Sequence, residues 1–107
     1  MYTLLIVDDE EIERDGMARL IPWEKYGYRL AGTAGNGAEG LDQIERLRPD
    51  IAIVDIKMPV MNGVEMIRRA REAYPDTLCV VLSGYGDYEY TSQAMELGVR
   101  HYILKPC

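Results

Sequence analysis

Short apolar runs of strand length recur along the chain and constrain its fold more than any other feature of the sequence. Three of them cover residues 3–7, 51–54 and 78–82 and contain almost no polar residue. Continuous apolar runs of this length are typical of strands buried on both faces, as parallel strands usually are. Two weaker strands are predicted at residues 28–34 and 101–104. The first of these is interrupted by a glycine, which is more typical of an edge strand.

Segments with helical spacing separate the predicted strands. Residues 11–20 predict a helix with Ile12, Met17 and Leu20 on one inward stripe. The residues expected to cap the three later helices are Asn36, Asn62 and Asp87. Because strand and helix alternate throughout, the sequence predicts an α/β fold. The fold is a doubly wound, five-stranded parallel sheet with right-handed crossovers and helices on both faces.

Length and charge set limits on what the chain can be. Its 107 residues predict one domain, residues 1–107. The net charge of −6 argues against direct nucleic-acid binding, because phosphate contacts need clustered lysine and arginine. The amino terminus matches neither a signal peptide nor a membrane span, so we expect a cytoplasmic protein with no membrane contact. Cys79 and Cys107 have no metal-binding spacing and predict neither a disulfide nor a zinc site.

The predicted alternation stops on a strand. A doubly wound sheet normally carries helices on both faces, but the helix that would cover the last strand is absent from the sequence. We therefore expect a fragment truncated at its C-terminus. Its uncovered apolar surface would favour self-association, as a dimer or a swapped oligomer.

Polar residues follow the predicted strands at the points where each strand ends. They are Asp8, Asp9, Asp55, Ser83 and Lys105. Because the carboxyl ends of parallel strands meet at one edge of a sheet, these side chains are expected to converge. Three crowded carboxylates repel one another unless a cation lies among them, and hard oxygen ligands suit Mg²⁺. A lysine and a hydroxyl beside them could hold phosphoryl oxygens, so the set predicts phosphoryl transfer to or from a carboxylate.

Each of these residues also has an ordinary structural explanation. Asp8 and Asp9 could be acids favoured at a helix start, Ser83 a turn residue, and Lys105 a solvated charge at a strand end. Their joint placement at one edge favours a site.

A glycine motif predicts a different ligand. Gly35, Gly37 and Gly40 form the pattern of a dinucleotide-binding turn, and Asp55 lies at about the expected distance. The preceding strand is the weak one, however, and the pattern leaves the strand-end residues unexplained. Turn geometry and close helix packing are the preferred explanation of these glycines.

The strand-end residues lie in motifs that resemble the receiver domain of two-component response regulators, and the resemblance covers essentially the whole chain. The motifs are residues 7–10 (Val-Asp-Asp-Glu), residues 55–63 (Asp-Ile-Lys-Met-Pro-Val-Met-Asn-Gly), residues 82–84 (Leu-Ser-Gly), Tyr102 and residues 105–106 (Lys-Pro). The resemblance implies a flavodoxin-like sheet of strand order 2-1-3-4-5. It also implies that Asp55 accepts a phosphoryl group from a phosphohistidine of a sensor histidine kinase.

The resemblance further implies a role for each of the other site residues. Asp9, Asp55 and the backbone carbonyl of Lys57 would bind Mg²⁺ directly, and Asp8 would bind it through water. Lys105 would bind the phosphoryl group. Ser83 and Tyr102 would form a switch pair, in which the hydroxyl moves toward the phosphoryl group and the ring turns inward. Tyr102 on its own could equally be a half-buried core ring.

Residues 22–28 and 83–90 are similar to receivers that precede an AraC-type helix-turn-helix domain. That resemblance implies a transcription regulator that binds DNA only through an output domain missing from this sequence. Two other functions remain open: a Mg²⁺-dependent phosphohydrolase with an aspartyl-phosphate intermediate, and an interaction domain that is not phosphorylated. The hydrolase would need a general acid or base near Asp55, commonly two residues on, where this chain has Lys57. The sequence thus favours a phosphorylated signalling domain, with only slow self-dephosphorylation, over an enzyme.

Overall fold

The computed structural model describes residues 1–58, 61–84 and 86–104. The elements follow in the order β1 (Tyr2–Val7), α1 (Glu11–Leu20), a 3-10 helix (Trp23–Tyr26), β2 (Tyr28–Ala34), α2 (Gly37–Leu47), β3 (Ile51–Asp55), α3 (Gly63–Ala73), β4 (Leu78–Ser83), α4 (Tyr88–Glu96) and β5 (His101–Leu104). None of the described helices is long and apolar enough to cross a membrane. The predicted alternation is confirmed, and residues 23–26 between α1 and β2 form the 3-10 helix.

The five strands form one parallel sheet in the order β2-β1-β3-β4-β5, as predicted. The glycine-containing strand β2 lies at an edge, also as predicted. The strands are aligned so that their carboxyl ends lie at one edge of the sheet. The paired residues at this edge are Val7 with Ala34 and Val54, Asp55 with Leu82, and Ser83 with Leu104.

The two faces of the sheet carry cores of different size. Helices α2, α3 and α4 cover one face, where Leu5 and Val7 of β1 join the larger apolar cluster. Helix α1 covers the other face, where Leu4 and Ile6 join a smaller cluster with Met17. Alternate residues of one strand therefore enter opposite cores, which is why β1 reads as a continuous apolar run.

The predicted inward stripe of α1 is wrong at two of its three residues. Met17 is buried, but Ile12 is 91% exposed and Leu20 is 82% exposed. Met17 is five positions after Ile12, which places the two about 140° apart around a helix of 3.6 residues per turn, so one narrow stripe cannot contain both. After the helix ends, Ile21 packs against the smaller core. Helix α1 thus presents an aliphatic side chain to the surface in its first turn.

Two of the three predicted caps are confirmed. Asn36 accepts a hydrogen bond from the backbone N–H of Glu39 at 2.8 Å, and Asn62 accepts one from Glu65 at 3.0 Å. Each satisfies a backbone donor that a helix start leaves unpaired. Asp87 occupies the predicted position before α4, but its side chain makes no capping hydrogen bond. The prediction for Asp87 is therefore wrong, and the side chain has another partner, described below.

Candidate functional site

The acid after β1 is fully buried. The backbone N–H of Asp8 donates to the carbonyl of Ala34 at 3.0 Å, which extends the pairing of β1 and β2 by one residue. Its Oδ1 accepts the backbone N–H of Glu10 at 2.9 Å, and its Oδ2 is buried with no hydrogen-bond partner among the described residues. Asp9 is exposed. The end of β1 therefore holds one acid inside the molecule and the next at its surface.

The acid that ends β3 is also buried. Asp55 is 1% exposed, and its Oδ1 accepts the backbone N–H of Lys57 at 3.2 Å. The next residue, Ile56, donates its N–H to the carbonyl of Leu82 at 3.0 Å, so the pairing of β3 with β4 continues past Asp55. These backbone contacts determine the direction of the Asp55 carboxylate, while the Lys57 side chain is exposed.

The sequence prediction missed the part that Gly63 plays in holding this acid. A Cβ atom on Gly63 would lie 2.5 Å from the carbonyl oxygen of Asp55 and 2.6 Å from the Cα atom of Ile56. The N–H of Gly63 donates to the carbonyl of Ile56 at 2.9 Å. Helix α3 can begin this close to the end of β3 only because residue 63 has no side chain. The glycine after the capping Asn62 was the available sequence signal.

Asp8, Asp9 and Asp55 lie together as predicted. Their carboxylates offer three oxygen atoms that all lie within 4.8 Å of one another. The pKa of Asp8 is raised to about 7, mainly by burial and also by the neighbouring acids Glu13 and Asp55, against the lowering effect of the Glu10 N–H. A buried, unpartnered oxygen among crowded acids is a position where a cation relieves both desolvation and repulsion. Oxygen donors of this kind fit Mg²⁺.

Ser83 and Tyr102 lie on the two neighbouring strands. Ser83 ends β4 at the same edge as Asp55 and is buried. The ring of Tyr102 is half-buried against the larger core, and its hydroxyl donates to the backbone carbonyl of Val99 at 3.0 Å. Burial raises the pKa of the Tyr102 hydroxyl. The other predicted site residue, Lys105, lies outside the described residues.

Asp87 fixes the turn that follows Ser83. Its Oδ2 accepts the backbone N–H of Gly84 at 2.7 Å, and the Asp87 N–H donates to the Gly84 carbonyl at 3.3 Å. The three-residue spacing from Gly84 to Asp87 allows a turn as well as a cap, because a short aspartate side chain reaches either donor. In this fold the side chain of Asp87 accepts the hydrogen bond of the turn donor, the Gly84 N–H, and leaves the helix start uncapped.

The glycine motif serves close helix packing, which is one of the two roles predicted for it. A Cβ on Gly37 would lie 2.7 Å from the carbonyl oxygen of Met61, and one on Gly40 would lie 2.8 Å from the Cε atom of Met66. Neither glycine has a positive φ. Protein atoms therefore fill the space beside the motif, and α2 packs closely on α3 and the segment before it.

Comparison with known proteins agrees with this geometry. The sequence matches the family model of the response regulator receiver domain over residues 4–107. The uncharacterized transcriptional regulatory protein YesN of Bacillus subtilis is 48% identical over 107 residues, which are 100% of this chain and 29% of that protein. The transcriptional regulatory protein HptR of Staphylococcus aureus is 38% identical over 106 residues, 99% of this chain and 41% of that protein.

Two solved structures of response regulators have folds similar to this chain along almost its whole length. The REC domain of AraT, a response regulator from Geobacillus stearothermophilus, has a TM-score of 0.90 and 36% identity, covering 98% of this chain and 81% of that one. A two-component transcriptional regulator AraC from Clostridium phytofermentans has a TM-score of 0.88 and 31% identity, covering 99% and 82%.

The chain belongs to the response regulator receiver domain family. Membership supports a phosphoacceptor role in two-component signalling, and the relatives named above include transcriptional regulators. The chain spans less than half the length of those two curated relatives.

Proposed function

We propose that this chain is the phosphoacceptor module of a two-component system, in which Asp55 receives a phosphoryl group from a phosphohistidine of a sensor histidine kinase. The observation that carries the proposal is the buried, oriented carboxylate of Asp55 beside Asp8 and Asp9. In a purely structural cluster, each buried carboxylate oxygen would accept a hydrogen bond from a nearby donor. Asp8 Oδ2 has no such donor among the described residues.

The transfer step follows from the position of Asp55. The N–H of Lys57 holds one carboxylate oxygen, so the carboxylate presents a constant direction to an incoming phosphorus atom. The bond between phosphorus and the histidine nitrogen breaks, a bond between phosphorus and a carboxylate oxygen forms, and the released imidazole nitrogen takes up a proton from solvent. Mg²⁺, held by Asp9, Asp55 and the Lys57 carbonyl, with Asp8 acting through water, would supply positive charge to the transferring oxygens.

The switch is proposed for the two strands beside Asp55. The Ser83 hydroxyl would donate to a phosphoryl oxygen, and Lys105 would provide a positive charge. Movement of Ser83 would open space for the ring of Tyr102. For the ring to turn inward, the hydrogen bond from Tyr102 to the Val99 carbonyl must break. Phosphorylation thus shifts an equilibrium between two arrangements of β4, α4 and β5.

We infer a transcriptional role for the longer protein. The chain covers 29% of YesN and 41% of HptR, both of which are named transcriptional regulatory proteins. In the proposal, the receiver controls an AraC-type output domain encoded outside this sequence, and only that domain binds DNA. The net charge of −6 on the receiver is consistent with this division.

The test is incubation of the purified chain with Mg²⁺ and acetyl phosphate, followed by intact mass measurement. We expect one phosphate adduct, which is lost in Asp55→Asn and kept in Asp50→Asn, a matched aspartate at the opposite end of β3. Persistence of the adduct in Asp55→Asn would reject Asp55 as the acceptor. Continuous turnover of excess donor at enzyme-like rates would instead favour the phosphohydrolase.

A further inference from the structure

A groove beside the C-terminal end of α1 takes no part in the acid cluster described above. It is a cavity of about 390 Å³ between the end of α1, the 3-10 helix and the first residues of β2. Its apolar lining includes Ile21, Pro22 and Leu30. Leu30 pairs with Leu4 in the amino half of β1, whereas the acids follow the carboxyl ends of the strands. The groove and the acid cluster therefore lie toward opposite ends of the sheet.

Trp23 also lines the groove, and its ring is held in one orientation. The indole N–H donates to the backbone carbonyl of Met17, in the last turn of α1, at 2.9 Å. The ring meets that of Tyr28 edge to face, with the ring centroids 6.3 Å apart. Because these contacts orient the ring in the free chain, a ligand that packs on it has less ordering entropy to lose. An oriented tryptophan beside aliphatic side chains is typical of the residues that dominate protein interfaces.

The charges at the groove are opposite in sign to the net charge of the chain. Lys25 and Arg29 line the groove and are exposed, and neither forms an ion pair within the described part of the chain. Glu24 lies among them, so the three side chains together carry one net positive charge, in a chain of net charge −6. Unpaired cations around an apolar cavity favour a partner that carries both acidic and apolar side chains.

The open edge of the sheet adjoins the groove. Arg29 and Leu30 belong to β2, the edge strand, which pairs only with β1 among the described strands. The outer side of an edge strand offers backbone donors and acceptors to an extended peptide. Side chains of consecutive strand residues point to opposite faces, so an added strand would present alternate residues to Arg29 and to Leu30. A peptide that alternates acidic and apolar residues fits both faces.

We propose that the groove and the outer edge of β2 form a docking surface for an extended, acidic peptide segment of a partner protein. The apolar side chains of the segment enter the cavity beside Trp23, its acids pair with Lys25 and Arg29, and its backbone adds to β2 as a sixth strand. This interaction goes beyond the proposed function, because it needs no phosphoryl group on Asp55.

The test is a fluorescence titration of the chain with a short, blocked peptide of alternating glutamate and leucine. Trp23 is the only tryptophan in the sequence, so the tryptophan emission reports on the groove directly. We expect a saturable change in emission with this peptide. Replacing the glutamates of the peptide by lysine, or its leucines by serine, should weaken binding at least about tenfold. Backbone amides of β2 should exchange hydrogen more slowly in the complex.

Substitutions in the chain test the charge pairing. Arg29→Gln should weaken binding of the acidic peptide about fivefold, and Glu24→Gln should strengthen it. The matched control is Arg19→Gln, an exposed cation of α1 outside the groove, for which we expect a change of less than about twofold.

Four results would each overturn the proposal: no saturable emission change with the acidic peptide, equal binding of the lysine peptide, equal loss in Arg19→Gln, or unchanged hydrogen exchange in β2. The titration contains no phosphodonor, so its result is independent of whether Asp55 accepts a phosphoryl group.

Discussion

Both edges of the sheet carry aspartates, but the aspartates differ in burial and in hydrogen-bond partners between the two edges. At the amino edge, Asp50 precedes β3, and its Oδ2 accepts hydrogen bonds from the N–H of Thr3 at 2.8 Å and the Thr3 hydroxyl at 3.2 Å. At the carboxyl edge, Asp8 and Asp55 are buried near each other, and Asp8 Oδ2 lacks a partner among the described residues. At the amino edge an acid joins two strands, whereas the carboxyl edge brings together the acids that we propose bind a cation.

The contrast shows how hydrogen-bond satisfaction separates structural from functional acids. A buried polar group without a partner destabilises the fold, so it persists where a ligand supplies the missing interaction. Substitution of an aspartate should therefore lower stability at the amino edge and, in the absence of a cation, raise it at the carboxyl edge.

The largest effect is expected from Gly63→Ala, because the new Cβ would lie 2.5 Å from the Asp55 carbonyl oxygen. We expect a loss of about 2–4 kcal/mol in the free energy of unfolding, measured with urea, together with loss of the phosphate adduct. The control is Gly16→Ala in α1, where no atom lies within 4 Å of the added Cβ; it should gain about 0.5–1 kcal/mol. Equal urea midpoints for Gly63→Ala and the wild-type chain would show that the two backbones can separate without cost.

The next effect is the pH dependence of the metal-free chain. The pKa of Asp8 is raised from 3.8 to about 7, so the folded state binds this proton more tightly than the unfolded state does. Stability should therefore fall as the pH rises from about 4 to about 7, and the full cost should remain above that range. Asp8→Asn keeps the acceptor for Glu10 and removes the charge.

In EDTA at pH 8, Asp8→Asn should be more stable than the wild-type chain by about 1–3 kcal/mol in urea. Near pH 4 the two should have similar stability, since the wild-type carboxyl is then protonated in the fold. The same pH dependence in both chains would assign the effect to another group.

The smallest effect is expected at the amino edge. Asp50→Ala removes the acceptor for both Thr3 donors, and exposure to solvent limits the loss to about 0.5–1.5 kcal/mol in urea. Asp76 is an exposed acid two residues before β4, and Asp76→Ala should change stability by less than about 0.5 kcal/mol. Neither substitution should alter Mg²⁺ binding. A gain in stability for Asp50→Ala would contradict the contrast between the edges.

Much of the site was predictable because the position at which each strand ends can be located from the amino-acid sequence. Apolar runs that stop at Asp8, Asp55 and Ser83 predict a shared edge in a parallel sheet, and the pairing register confirms that edge. The close contact at Gly63 was not predicted, since it depends on the distance between the backbones of β3 and α3. Asp87 was predicted to cap α4, but it binds the Gly84 N–H, because two donors lie within reach of one short side chain.

The amino-acid sequence was sufficient to assign the element order, the caps Asn36 and Asn62, and the acids at the carboxyl edge. These follow from local periodicity, from short-range hydrogen bonds and from the shared direction of parallel strands. Packing decided the rotation of α1, which exposes Ile12 and buries Met17. A helix with few apolar residues can bury more than one face, and its side of contact depends on the sheet beneath it.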